Sequence, residues 1–226
     1  GNTWAEASTP GELGWNSVAY GDGKFVAVGI GWSMHSTDGG SWTAVKLPGA
    51  SRTWRSIAYG GGKFVAVNAD GGSIHSTDGA DWLESAMPEN LDWTGVAYGN
   101  GRFVAIASGA TVSAFSANGK VWKTMAMPAS LSWWGIAHGD DGFAAVSLGS
   151  SSAAYLPDEV DLGYTVSYLY QYSTNSGASW ITVGAATADT QIEITIPESA
   201  EQFMARVRAQ DDIGFTSADY VTGVNL

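Results

Sequence analysis

A seven-residue segment occurs four times in this chain at nearly constant spacing. The copies begin at Trp15, Trp54, Trp93 and Trp133, and each runs through small or apolar residues to a Tyr-Gly or His-Gly pair. The lead tryptophans lie 39, 39 and 40 residues apart. Short apolar runs and glycine turns at a period of about 40 residues are typical of four-stranded units that bury their faces on one another. The repeat therefore predicts an all-β propeller over residues 1–156.

Each repeat divides into short strands. In the first copy we expect a strand over residues 17–20, a glycine turn, a second strand over 25–28, a third that ends at His35 and a fourth that starts at Trp42. The continuous apolar runs at 64–67 and 103–106 indicate strands that are buried on both faces.

A second motif links the third and fourth strands of each repeat. The segment 36–42 reads Ser-Thr-Asp-Gly-Gly-Ser-Trp and returns at 76–82 and, with Asn for Asp, at 116–122. It resembles the Asp-box, or BNR repeat, of sialidase-like propellers, and the expected role is structural: the Asx side chain fixes the turn and the Trp packs. The motif positions are Ser36, Asp38, Gly39, Trp42, Ser76, Asp78, Gly79, Trp82, Ser116, Asn118, Gly119 and Trp122.

The fourth repeat has neither this motif nor a closing Trp. Trp4 stands 11 residues before Trp15, as Trp82 stands before Trp93, so residues 4–7 are a candidate for the missing strand. Pairing them with the strand around Tyr155 would close a ring of four blades and remove the free sheet edges. The alternative is part of a longer array, and a start at Gly1 rather than Met indicates a processed form or a fragment.

Residues 157–226 lack the period and form a second predicted domain. Alternation from Leu162 to Ser173 indicates a strand with one buried face. The segment 203–217, with Arg-Val-Arg-Ala, Gly214 and Thr216-Ser217, resembles the last two strands of a fibronectin type III domain. The resemblance implies a small β-sandwich-like module, shorter than the usual domain.

Charge and composition restrict the partners. The formal net charge is −12, which disfavours nucleic acid and anionic membrane surfaces, so we expect a glycan or a protein surface. No apolar run approaches the ~18 residues of a membrane span, which predicts no membrane insertion. Because Cys is absent, disulfides, thiolate nucleophiles and Cys-ligated metals are excluded.

Enzymatic and metal chemistry find little support in the sequence. Resemblance to sialidases would imply three converging arginines, but Arg52 and Arg55 share one connection and Arg102 sits in a hairpin turn, so we expect no enzyme activity. His35 and His75 share a repeat position with Phe115 and Tyr155, which indicates a slot for a flat ring rather than a metal ligand. No metal and no cofactor are predicted.

Two tryptophans break the repeat and are the candidate ligand contacts. Trp32 lies in a Gly-rich connection, and Trp134 replaces the Asn, Arg or Thr of the other copies. Aromatic residues of this kind stack on sugar rings or anchor protein contacts, although Trp134 could instead fill a gap against the second domain.

The expected function is a non-catalytic binding or adhesion module for carbohydrate, because the repeat type and domain pairing resemble adhesion parts of phage tails and bacterial surface proteins. The expected location is extracellular or on a virion, with a homo-oligomer or larger assembly possible. The alternatives are a structural virion protein, for decoration or the tail, with protein contacts only, and a degenerate sialidase-like glycosidase.

Overall fold

The structure is a computed structural model in which every regular element is a β-strand. It describes residues 3–11, 13–49, 51–158, 166–174, 178–182, 202–211 and 220–225. Within these ranges there is no helix, and so none that is long and apolar enough to cross a membrane. The chain divides into two compact units, Gly1–Val160 and Asp161–Leu226.

Repeats 1 and 2 each form a four-stranded antiparallel sheet in chain order. The first sheet consists of β1 (Trp15–Gly21), β2 (Lys24–Gly29), β3 (Trp32–Ser36) and β4 (Thr43–Lys46). The second consists of β5 (Trp54–Gly60), β6 (Lys63–Asn68), β7 (Gly72–Ser76) and β8 (Leu83–Ala86). The first two strands of repeats 1, 2 and 3 are joined by two residues with positive φ, such as Asp22 (48°) and Gly23 (72°), a combination that matches the right-handed twist of a hairpin.

Repeats 3 and 4 share one five-stranded sheet, ordered β13-β12-β11-β10-β9. Its strands are β9 (Trp93–Gly99), β10 (Arg102–Ser116), β11 (Lys123–His138), β12 (Gly142–Ser147) and β13 (Ala153–Pro157). The long strand β10 pairs first with β9 and then with β11, whose second half pairs with β12. Register shifts between Ser108 and Val112 mark the irregular part of β10, where its partner changes. The sequence predicted separate strands here.

The predicted closing strand is wrong. Residues 4–7 form no strand, Trp4 is fully exposed, and β13 pairs only with β12 among the described residues. The amino-terminal segment instead makes a parallel bridge from Ser8 to Ser41 in repeat 1. In repeats 1 and 2 the indole N–H of the corresponding tryptophan donates to a carbonyl of the preceding turn, 2.9 Å for Trp42 to Gly39. Trp4 shares their spacing but lies outside such a turn.

The Ser-x-Asp/Asn-Gly turns are held by side-chain acceptors. Asp38 Oδ1 accepts hydrogen bonds from the N–H groups of Gly40 and Ser41, both at 2.8 Å. Asp78 Oδ1 accepts from Ala80 and Asp81 at 2.9 Å, and Asn118 Oδ1 replaces the carboxylate in the third copy. The backbone N–H groups, led by that of Ser41 for Asp38 and that of Ala80 for Asp78, lower the pKa of both carboxyls.

Replacing Asp78 by Ala should lower the free energy of unfolding by about 1 kcal/mol, because two backbone N–H groups lose their acceptor. Asp78→Asn should cost less, since Asn118 already makes the same two bonds. Because the folded-state pKa of Asp78 is lowered from 3.8, the wild-type advantage is present above that pH and is lost as the pH falls through the folded-state value. Urea unfolding of the three proteins at pH 7 and pH 3 checks this. Equal stabilities for Asp78→Ala and wild type at pH 7 would contradict it.

Successive repeats pack face to face through one recurring contact. The ring of Tyr59 covers Gly21, that of Tyr98 covers Gly60 and that of His138 covers Gly99, so closely that a Cβ at any of these glycines would overlap the ring. This close approach requires glycine at each position.

The apolar side chains of the sheets complete each interface. Val26 and Val28 of repeat 1 pack with Trp54 and Ile57 of repeat 2 in one buried cluster. Val65 and Val67 of repeat 2 pack with Trp93 and Val96 of repeat 3 in the same way. The core of this unit therefore lies between its sheets, and the predicted burial of both faces is confirmed for these strands.

The described residues of the second unit form one antiparallel sheet, ordered β15-β14-β16-β17. Its strands are β14 (Val166–Ser173), β15 (Ile181–Thr182), β16 (Gln202–Asp211) and β17 (Tyr220–Asn225). The strand predicted over 162–173 corresponds to β14, and the first part of the segment 203–217 lies in β16. Gly214 and Thr216-Ser217, which also entered the predicted module, lie outside the described residues.

Candidate functional site

Trp134 lies where β11 enters repeat 4, at the end of the unit where the first strand of every repeat begins. We call this end the Trp end, after Trp15, Trp54, Trp93 and Trp133. Trp133 is completely buried, whereas Trp134 points the other way and keeps 46% of its surface exposed. Alternation along the strand therefore presents this indole at the Trp end.

The residue after each lead Trp connects neighbouring repeats. Asn16 Nδ2 donates to the carbonyl of Trp54 at 2.9 Å, and Thr94 Oγ1 donates to that of Trp133 at 2.6 Å. These bonds hold the first strands side by side at the Trp end. The same position in repeats 2 and 4 carries Arg55 and Trp134.

Arg55 reaches across to Trp134 and brings a carboxylate with it. Its guanidinium carbon lies 5.4 Å from the centre of the Trp134 ring, which is within the range of a cation–π contact. Its Nε and Nη2 donate to the two carboxylate oxygens of Asp92 at 3.2 and 3.3 Å. We call Arg55, Asp92 and Trp134 the Trp134 cluster.

The Trp134 cluster is accessible and held in place. The side chains of Arg55 and Asp92 are 31% and 37% exposed, so the pair is stabilised by its bidentate geometry rather than by burial. The cluster combines an apolar ring with donors and acceptors at its edge. Such a combination can bind a ligand that has both an apolar face and hydroxyl groups.

Trp32 is the first residue of β3, opposite Lys46 in β4, and is half-buried. It follows Gly31, whose positive φ of 70° sets the turn from β2. Trp32 also belongs to the Trp end, but it lies on the third strand of repeat 1, whereas Trp134 lies on the first strand of repeat 4. The sequence therefore identified two aromatic positions at one end, on different repeats.

The three arginines of the first unit serve separate partners. Arg52 pairs with Glu84 and Arg55 with Asp92, both at the Trp end. Arg102, the first residue of β10, is buried at the opposite end, 3.7 Å from a carboxylate oxygen of Asp158. They form no common arginine pocket.

His75, at the repeat position that it shares with His35, Phe115 and Tyr155, contacts its own sheet. His75 is buried, and its Nδ1 lies 2.8 Å from Ser85 Oγ. Burial, with the nearby charges of Lys120 and Lys63, lowers the pKa of His75, which keeps the ring neutral at pH 7. Within the described ranges, no group of three or more His, Asp or Glu side chains is placed to hold a metal ion.

The sequence did not identify the partners of Trp134 or a second ionic cluster. His138 Nε2 lies 3.0 Å from both carboxylate oxygens of Asp158, which also neighbours Arg102. His138 covers Gly99 of repeat 3 in the way that Tyr98 covers Gly60, so this cluster links the end of repeat 4 to repeat 3. The sequence signal that could have identified the Trp134 cluster is the alignment of the repeats, in which Arg55 and Trp134 both directly follow the lead tryptophan.

Comparison with known proteins yields similarity of fold. No family model matches the chain, and no curated protein matches it. Among solved structures, YCF48 bound to D1 peptide shares 14% identity at a TM-score of 0.58, over 97% of this chain and 70% of that one. A catalytically inactive virginiamycin B lyase from Staphylococcus aureus with quinupristin shares 10% identity at a TM-score of 0.60, over 98% and 73%.

The computationally designed protein Ika4 is also similar, with 11% identity, a TM-score of 0.52, and coverage of 69% of this chain and 99% of that one. YCF48 and virginiamycin B lyase are β-propeller proteins. At these identities the likeness concerns architecture alone, and it does not transfer lyase activity or peptide binding. The chain is an all-β protein whose four-stranded antiparallel sheets have propeller-like structural neighbours.

Proposed function

We propose that this chain is a non-catalytic carbohydrate-binding module whose recognition surface is the Trp134 cluster. The observation that carries the proposal is an indole that is 46% exposed, beside a guanidinium and a carboxylate that fix each other. The placement of Arg52, Arg55 and Arg102 on different carboxylates supports a binding role over sialidase-like hydrolysis.

Sugar rings suit this surface for physical reasons. The C–H face of a pyranose is apolar and packs on an indole, while its hydroxyls need donors and acceptors at the ring edge. Arg55 and Asp92 supply both. Because the net charge of the chain is −12, a neutral glycan is favoured over a polyanionic one.

Together with this function we propose three structural assignments. The three Ser-x-Asp/Asn-Gly turns are Asp-boxes, the four repeats are propeller blades, and the second unit is a fibronectin type III-like module. Propeller blades hold loops at fixed spacing, a property that suits adhesion at the surface of a virion or a bacterial cell. The turn hydrogen bonds and the repeat register support the first two assignments.

Replacing Trp134 by Ala should weaken glycan binding about 5-fold to 150-fold, the range expected when roughly 1–3 kcal/mol of aromatic contact is lost. A glycan array with wild-type protein identifies the ligand, and titration calorimetry with that ligand measures each variant. Trp134→Phe keeps a flat ring and should retain most of the affinity. Trp32→Ala should have a smaller effect, because Trp32 is half-buried and lies on another repeat.

Two controls make this test decisive. Leu148→Ala removes an apolar side chain of repeat 4 that is 63% exposed and should leave binding unchanged. Unfolding curves for every variant separate a lost contact from a lost fold. If the folded wild-type protein binds nothing on a broad array of neutral glycans, the proposal fails and a role confined to protein contacts is favoured.

A further inference from the structure

The first unit ends in two uncovered apolar faces. Each repeat has a forward face, turned toward the next repeat, and a backward face, turned toward the preceding one. Internal interfaces join the forward face of one repeat to the backward face of the next, as Val26 and Val28 join Ile57. This pattern leaves the backward face of repeat 1 and the forward face of repeat 4 without a partner repeat.

The backward face of repeat 1 exposes side chains that its neighbours bury. Val18 is 58% exposed, whereas Ile57 at the same position in repeat 2 is 5% exposed. Tyr20 is 60% exposed, whereas Tyr59 and Tyr98 lie over glycines. Beside them is a hollow of about 320 Å³. Its lining includes Trp15, Val18, Ala27, Met34 and Trp42.

The forward face of repeat 4 is the matching half. Val146 is 55% exposed, although Val28 and Val67 at its position in repeats 1 and 2 are fully buried. Tyr155, at the position of His75, is 62% exposed. A Cβ at Gly139 would meet only the carbonyl of Gly142, at 4.0 Å. Repeat 4 thus has the glycine of the recurring contact without a ring above it.

We propose that these two faces bind each other between two copies of the chain, the forward face of repeat 4 in one copy receiving the backward face of repeat 1 in the other. In this arrangement the Tyr20 ring of one copy covers Gly139 of the next, repeating the contacts of Tyr59 with Gly21 and Tyr98 with Gly60. The contact is head-to-tail, so each copy keeps one free face and further copies can add as a ring or a filament.

A second copy is the favoured occupant because the chain already makes this interface internally. The ring and the glycine are those that pack together between repeats 1 and 2, and the apolar columns keep their positions, with Val18 in place of Ile57 and Ala144 in place of Val26. Val18, Tyr20, Ala144 and Val146 are uncharged, so these side chains add no like-charge repulsion to the contact. The inference does not depend on glycan binding, since the residues from which it is argued, Val18, Tyr20, Gly139 and Val146, are not part of the Trp134 cluster.

Cross-linking can test the contact cleanly because the chain has no cysteine. Val18 occupies the repeat position of Ile57, and Ala137 occupies that of Ala19. Ile57 and Ala19 pack in one cluster between repeats 1 and 2, so Val18→Cys and Ala137→Cys should place two thiols close together across the contact. Both substitutions leave Tyr20 and Gly139 unchanged. A mixture of the two single variants should give a disulfide-linked dimer under mild oxidation. A mixture of Ala137→Cys with Leu83→Cys is the matched control, because Leu83 is about as exposed as Val18, 63% against 58%, but lies on β8.

Association and its disruption provide a second measurement. In sedimentation experiments the average mass of the wild-type protein should increase with its concentration. Adding Tyr20→Glu to the Val18→Cys chain should lower the yield of cross-linked dimer about tenfold or more, because a charge would be buried in an apolar contact. Unfolding curves verify that the variants remain folded.

Three outcomes would overturn the proposal. The first is a wild-type chain that stays monomeric at the highest soluble concentration, with no cross-link in the mixture. The second is an internal disulfide in a monomer that carries both cysteines, since it would show that one chain closes on itself. The third is a Val18→Cys dimer that forms as readily alone as in the mixture, since it would indicate a symmetric contact.

Discussion

Replacing Gly60 by Val should separate repeat 2 from repeat 3 and lower the free energy of unfolding by about 3 kcal/mol. A Cβ at Gly60 would overlap the ring of Tyr98, so the ring must leave its position over β5. The backbone of Gly60 does not have positive φ, and Val favours strands, so the entire cost comes from the displaced ring. Chemical denaturation followed by circular dichroism measures the loss.

Gly139→Val is the matched control for Gly60→Val. It makes the same change at the equivalent position of repeat 4, where the nearest atom lies 4.0 Å from the new Cβ. In dilute solution it should alter stability by less than about 0.5 kcal/mol. Adding Tyr98→Ala to Gly60→Val should recover part of the loss, because the overlap disappears. Equal destabilisation by the two valines would show that the ring contact is not the cause.

Replacing Trp93 by Ala should cost about 3–5 kcal/mol, because it removes a large buried side chain from the interface of repeats 2 and 3. Trp93 is 0% exposed and packs with Val65, Val67 and Trp122. Its indole N–H also donates to the carbonyl of Glu89 at 3.3 Å. Val65 and Val67 lie on β6, which is hydrogen-bonded to β5 on one side and β7 on the other, so this strand can close little of the resulting cavity.

Trp15→Ala is the corresponding change at the uncovered end of the array. Trp15 begins the first repeat as Trp93 begins the third, but it is half-buried, so its removal should cost less than half as much in the monomer. Thermal and urea unfolding of the two variants give the comparison. Similar losses at both positions would mean that repeat 1 is covered in solution even at low concentration.

The repeat allowed most of the first unit to be predicted, because each strand and turn is specified locally and four times. Glycine turns such as Asp22-Gly23, and the apolar runs that are buried on both faces, follow directly from residue type. The sequence failed where a contact has no local signal. Trp4 has the spacing of a closing strand, but spacing alone does not supply the turn that holds Trp42.

The candidate site could likewise be predicted only where the sequence carries a local signal. Trp134 could be identified as an exception to the repeat. Its partners could not, because Arg55 lies in β5 and Asp92 directly precedes β9, both far from Trp134 in the sequence. Arg55 contacts the indole because the first strands of repeats 2, 3 and 4 lie side by side, and that convergence depends on tertiary packing. The merging of repeats 3 and 4 through β10 and β11 was equally invisible, since a strand that changes partner midway has no distinct composition.

The uninterrupted strand β11 makes the seams of this unit unequal in mechanical strength. Between repeats 1 and 2 the chain leaves β4 and enters β5 through an irregular connection, and the seam is crossed by side-chain packing, a few hydrogen bonds and one isolated bridge, Ile30 to Thr53. Between repeats 3 and 4, β11 continues without a break, and β10 pairs with it on both sides of the seam, as far as Ser108 with Ser132. Tension should therefore separate the first two repeats, which can extend one at a time and absorb strain, before the last two.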